Sequence, residues 1–111
     1  MLQREQIESL EILGYVYFRQ GRAKEARIVF EGLAALAPEN EVALGHLAAL
    51  AVERGDGAEA LRRLDAYVAE YPDRKHEPAL ALLRIRALRL NGREDEAEKM
   101  LTEYFAATPD G

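Results

Sequence analysis

Two histidines, His46 and His76, one serine, Ser9, and no cysteine are the starting stock for chemistry in this 111-residue chain. A Ser–His–acid arrangement would have to begin from Ser9, which lies at the start of a helical stretch and lacks a nucleophile elbow. Metal binding needs further ligands at helical spacing, and neither an HExxH nor a His-x3-His pattern occurs. The absence of cysteine removes disulfides, zinc–thiolate sites and thiol nucleophiles together. Gly55-Asp56-Gly57 superficially resembles a phosphate loop, but it has no preceding strand and no Lys-Ser/Thr to follow. It reads as a turn. Carboxylates are plentiful, yet no pair stands out for acid–base work. The expectation is a protein that is not an enzyme, with no cofactor and no metal, in which each histidine is a surface or groove residue.

The elements that carry these residues are legible from composition. Nineteen Ala, sixteen Leu, fifteen Glu and twelve Arg favour helix strongly, and no segment alternates apolar and polar residues over a strand's length. Small clusters punctuate the chain at Gln20-Gly21, Pro38-Glu39-Asn40, Gly55-Asp56-Gly57, Pro72-Asp73, Asn91-Gly92 and Pro109-Asp110-Gly111. The segments between them are the length of ordinary helices. The chain should be all-α and form a single domain over residues 1–111. With 49% hydrophobic and 32% charged residues it has the balance of a folded domain. A net charge of −5 argues against nucleic acid or anionic membrane as partner, because both require an excess of cations. Neither a signal peptide nor an uncharged run of about 20 residues is present, so a soluble cytoplasmic protein without membrane insertion is expected.

Internal periodicity organises the helices. A shift of 34 residues lays Leu13 on Leu47, Gly21 on Gly55, Ala26 on Ala60 and Pro38 on Pro72. A further shift of 37 carries Gly55 to Gly92, Ala60 to Ala97, Leu64 to Leu101 and Pro72 to Pro109. Three units follow, about 7–40, 41–74 and 78–111, with extra residues around Lys75-His76-Glu77. Glycines at 21, 55 and 92 suit the positive φ at which one helix ends and the chain reverses.

These offsets resemble the tetratricopeptide repeat family. The first unit supplies Leu10, Leu13, Gly14, Tyr17, Gly21, Ala26, Phe30, Leu33 and Pro38, and the second Leu44, Leu47, Ala48, Gly55, Ala60, Leu64 and Pro72. The third matches less well in its first helix, with Ala81, Arg84 and Ile85, and recovers at Gly92, Ala97, Leu101 and Pro109. The resemblance implies three tandem helix–turn–helix units in a short right-handed superhelical solenoid. First helices would line a concave groove and second helices a convex back, which carries Arg62 and Arg63. At the family's inward-facing offsets lie Glu8, Glu11, Tyr15, Phe18 and Arg19, then Val42, Gly45, His46, Ala49 and Val52, then Ala79, Leu82, Leu83, Arg86 and Arg89.

From these the expected partner-binding set is Glu11, Tyr15, Phe18, Val42, Gly45, Ala49, Val52, Leu82, Arg86 and Arg89. Tyr15 and Phe18 would form an aromatic wall, since Leu10, Leu13 and Tyr17 already serve packing between helices. Gly45 and Ala49 would leave a shallow hollow. Arg86, Arg89 and Arg93 would form a basic stripe opposite Glu8 and Glu11. The third unit's outer residues, Leu101 and Phe105, would lack a covering helix and favour self-association, a homodimer in the absence of a partner.

The residues that clamp chaperone C-termini in other members have no counterpart here, where Glu11, Tyr15, His46, Ala79 and Leu83 stand instead. Residues 10–40 and 88–105 look most like the small bacterial type III secretion chaperones of the YscY type. That likeness implies a cytoplasmic chaperone for a small secreted protein of the YscX type, working with the export gate. The alternative is an adaptor or scaffold in another bacterial assembly.

Overall fold

The computed structural model describes residues 3–107, excluding the side chains of Phe105 and Ala107. Six helices follow one another: α1 (Arg4–Arg19), α2 (Ala23–Leu36), α3 (Glu41–Glu53), α4 (Gly57–Glu70), α5 (Pro78–Leu90) and α6 (Glu94–Ala107). Each packs on the next, and α3 also touches α5, so three hairpins stack into an elongated body of 44 × 26 × 22 Å. Among the described residues there is no strand, as the composition requires.

The hairpin turns are built alike. Gly21, Gly55 and Gly92 take φ of 75°, 80° and 74°, a region that L side chains rarely adopt. Each glycine N–H donates to a carbonyl three residues back, and the following N–H reaches five back, as in Arg22 to Tyr17, Asp56 to Ala51 and Arg93 to Leu88. Helix starts are sealed by Asn40 Oδ1, which accepts from the Ala43 N–H at 2.9 Å, and Asp56 Oδ1, which accepts from the Glu59 N–H at 3.0 Å. Pro78 occupies the first turn of α5, where no N–H is needed. The longer second junction holds a 3₁₀ turn at Pro72–Arg74.

The core forms two clusters that share α3. Ala43, Leu47 and Leu50 pack with Ala26, Phe30 and Leu33 of α2, while Ala48, Ala51 and Val52 pack with Leu64, Ile85 and Leu88. Close helix approach inside each hairpin is governed by one pair of positions. Gly14 lies against Phe30 so tightly that a Cβ there would fall 2.6 Å from the ring. The same offsets hold Ala48 with Leu64 and Ile85 with Leu101, so where the small partner is larger than glycine the phenylalanine gives way to leucine. Ala26, Ala60 and Ala97 are fully buried, as their recurrence suggests.

One packing assignment fails. Leu13 is 42% exposed, whereas its counterpart Leu47 is 2% exposed because α2 precedes it. Among the described residues no helix precedes α1. Leu101 packs against the second core cluster, partly buried. Phe105 as an uncovered edge, and Pro109 as the end of the third unit, lie outside the described residues.

Candidate functional site

A hollow of about 440 Å³ opens across the first helices of the three hairpins. Its floor is apolar: Phe18 from α1, Val42, Gly45 and Ala49 from α3, and Ala79 and Leu80 from α5. Gly45, Ala49 and Glu41 fall four residues apart and therefore share a face of α3, with Val42 beside them. The missing side chain at Gly45 and the methyl of Ala49 create the depth. Tyr67, reaching over from α4, closes one side, and its ring lies 3.4 Å from where a Gly45 Cβ would stand.

The rim is polar. Tyr67 Oη donates to Glu41 Oε2 at 2.7 Å, and Arg74 binds both Glu41 (3.3 Å) and Glu77 (3.0 Å). Burial first, then the hydrogen bond to the Glu41 carboxylate, pushes the Tyr67 phenol up to about 12. Burial and the nearby Glu41 charge also raise the phenol of Tyr71, whose hydroxyl donates to the Glu39 carbonyl. Two carboxylates and one guanidinium leave this rim with a net negative charge.

At the α1 end of the hollow, His46 sits among three aromatic rings. It stacks on Phe30 with centroids 4.7 Å apart and meets Phe18 (5.0 Å) and Tyr15 (5.9 Å) edge-on. Its Nδ1 lies 2.8 Å from the Val42 carbonyl, which can only accept, so the proton is on Nδ1. His46 is thus a packing residue of the wall.

The expected set divides. Phe18, Val42, Gly45 and Ala49 line the hollow together. Tyr15 borders it through His46 and is 48% exposed. Phe18 also packs against the first core cluster, so it serves structure as well as the wall. Glu11 is half-buried and accepts from Asn40 Nδ2 at 2.8 Å, tying α1 to the start of α3. Leu82 and Arg86 are exposed on α5 outside the lining.

Two assignments are corrected. Val52 is 3% exposed within the second core cluster, because α5 packs over α3 where Val52 lies. Arg89 is not part of an open basic stripe. It binds Glu94 (3.1 Å) and Glu98 (3.0 Å) of α6, while Arg93 holds Glu96 at 2.6 Å. The convex back is also less inert than the periodicity implies, since Arg63 bridges Glu59 at 2.6 Å and reaches Glu31 of α2 at 4.0 Å. Glu41, Tyr67, Glu77 and Leu80 belong to the hollow although face counting on first helices did not select them. Glu41 could have been found from its four-residue spacing to Gly45. Tyr67 could not, because it arrives from a second helix.

A second cavity, of about 470 Å³, lies between α4, α5 and α6. Within its charged lining Asp65 pairs with Arg84 at 3.0 Å and Arg93 with Glu96 at 2.6 Å, beside Lys99 and Glu103. Among the described residues no group of three or more His, Cys, Asp or Glu could hold a metal ion, and no helix is long and apolar enough to cross a membrane.

A comparison with curated proteins finds no match. A family model described as tetratricopeptide repeat matches residues 17–84, from the last turn of α1 to the middle of α5. That span is more than half of the chain and contains the floor of the hollow. With three stacked helix hairpins and this match, the chain belongs to the tetratricopeptide repeat family of protein-interaction modules.

Proposed function

We propose that the chain binds a segment of a protein partner in the hollow formed by Phe18, Val42, Gly45, Ala49, Ala79 and Leu80. The observation that carries this reading is an apolar floor without polar groups beneath a rim of net negative charge. Such a site suits an apolar side chain flanked by a Lys or Arg, the first giving burial and the second orientation. The stacked aromatic wall around His46 supplies rigid area, which limits the entropy lost on binding. Catalysis has no place in this reading.

The finer reading is a cytoplasmic bacterial chaperone that masks a small secreted protein, in the manner of the YscY type with its YscX-type partner at the export gate. It rests on the resemblance of residues 10–40 and 88–105. The test is purification of the chain with its bound partner, followed by affinity measurement with Ala49→Trp. A tryptophan at 49 should fill the hollow and weaken the complex at least tenfold with the thermal melt unchanged. A small exported protein in the complex supports the chaperone, and an envelope assembly supports an adaptor. Undiminished affinity in Ala49→Trp would exclude the hollow.

A further inference from the structure

The first hairpin leaves open the edge that the other two bury. In the 34-residue register Ser9, Ile12, Leu13 and Val16 correspond to Ala43, His46, Leu47 and Leu50. Ala43, Leu47 and Leu50 pack against Ala26, Phe30 and Leu33 of α2. The third unit repeats the joint at α5, where Ala87 is fully buried and Leu80 and Leu83 pack into the second cluster. On α1 no described helix covers the same positions: Ile12 is 64%, Leu13 42% and Val16 41% exposed.

We propose that a second copy of this chain covers the edge, with α1 packed antiparallel on α1 of the copy about a two-fold axis at Ile12. The stripe is built for it. Glu5, Ser9, Ile12, Val16 and Arg19 are all exposed and follow one another at spacings of four, three, four and three, the seam of a paired helix. Glu5 and Arg19 lie seven residues to either side of Ile12, and Ser9 and Val16 three and four. Antiparallel pairing sets each Ile12 on its counterpart and each Glu5 opposite an Arg19, with Ser9 one residue out of step with Val16. A parallel arrangement would set Glu5 on Glu5 and Arg19 on Arg19. Neither charge is in an ion pair among the described residues. The 16-residue helix is about 24 Å long, enough for the whole stripe to engage.

A head-to-tail stack, with α6 of one copy on α1 of the next, fits less well. At the α4–α5 joint a Cβ on Gly57 would come within 2.7 Å of the Ala87 carbonyl oxygen and Leu61 is buried, and the α2–α3 joint holds Ala23 and Arg27 at the same places. In α6 those two places hold Glu94 and Glu98, both bound to Arg89. Stacking would strip water from these charges or break their pairs. Isologous pairing also closes at two copies, where head-to-tail contact would propagate. The stripe contains neither Phe18 nor Ala49, so this proposal stands apart from the function of the hollow.

The cysteine-free chain gives a clean test. Under mild oxidation Ile12→Cys should link into a covalent dimer. Glu5→Cys should not link to itself but should link to Arg19→Cys when the two proteins are mixed. Sedimentation equilibrium of the unaltered chain should give twice 12.4 kDa, falling on dilution, and Ile12→Glu should remain at 12.4 kDa with its helicity intact. A mass of 12.4 kDa at every concentration up to millimolar would overturn the proposal. Self-linking of Glu5→Cys would overturn the antiparallel arrangement, and linking of Val16→Cys to Glu98→Cys would replace it with a head-to-tail stack.

Discussion

Alanine at position 14 should destabilise the protein, against the ordinary behaviour of glycine in a helix. Gly14 is inside α1, where Gly→Ala normally adds about 1 kcal/mol of helix propensity. Here the new Cβ would lie 2.6 Å from two carbons of Phe30, a fully buried ring that itself stacks on His46 at 4.7 Å. The ring cannot retreat without moving the aromatic wall, and such overpacking costs about 1–3 kcal/mol. The clash wins, leaving a net loss of about 1 kcal/mol, or roughly 4 °C in Tm for a domain of this size. Gly32, on α2, is the control: nothing lies within 4 Å of its Cβ position, so Gly32→Ala should gain about 1 kcal/mol. Urea melts of both variants measure the contrast. Rescue is also defined, because Gly14→Ala with Phe30→Leu recreates the Ala48–Leu64 combination of the second hairpin. If Gly14→Ala stabilised as much as Gly32→Ala, or if Phe30→Leu failed to rescue it, the packing argument would be refuted.

Asn40→Ala removes both the cap on α3 and the tie to Glu11, so chemical denaturation should show a loss of about 1–2 kcal/mol, more than Asp56→Ala, which removes a cap alone. Tyr67→Phe should cost about 0.5–1.5 kcal/mol at neutral pH by deleting the hydrogen bond to Glu41. Because the folded phenol is raised from 10.0 to about 12, its contribution is intact below pH 10 and is lost as pH climbs to about 12. Melting temperature should therefore fall across that window in the parent, and less in Tyr67→Phe, with Tyr71 supplying the remainder. Arg62→Glu should alter partner affinity little, because it lies on the back of the solenoid away from the hollow, and its exposed pair with Glu59 should matter little to stability, whereas the less exposed Arg63→Glu should lower stability by breaking contacts to Glu59 and Glu31, as read in parallel melts.

Helices and turns were legible because they depend on local rules: a glycine at each reversal, a capping Asn or Asp, and apolar residues at helical spacing. The floor of the hollow was legible for a related reason, since Val42, Gly45 and Ala49 share one helix face. What repeat offsets do not carry is the neighbourhood. Phe18, Val52 and Arg89 occupy the same offset, yet the first is half-buried, the second lies in the core and the third is bound to α6 carboxylates. Each burial depends on which unit stands beside it. Leu13 and Leu47 differ for that reason too, one exposed and one covered by α2. Tyr67 was beyond face counting because its length, rather than its phase, brings it into the hollow.

The central claim, that the hollow holds the partner, is tested most directly by site-specific photo-crosslinking in cells. A photoreactive phenylalanine analogue replacing Tyr15 at the border of the hollow, or placed at 28 or 62 on the back of the solenoid, records which face touches the partner. The account predicts an adduct from position 15 that disappears when Gly45→Leu fills the hollow, and none from 28 or 62. Adducts from 28 or 62 alone, with position 15 silent, would contradict it.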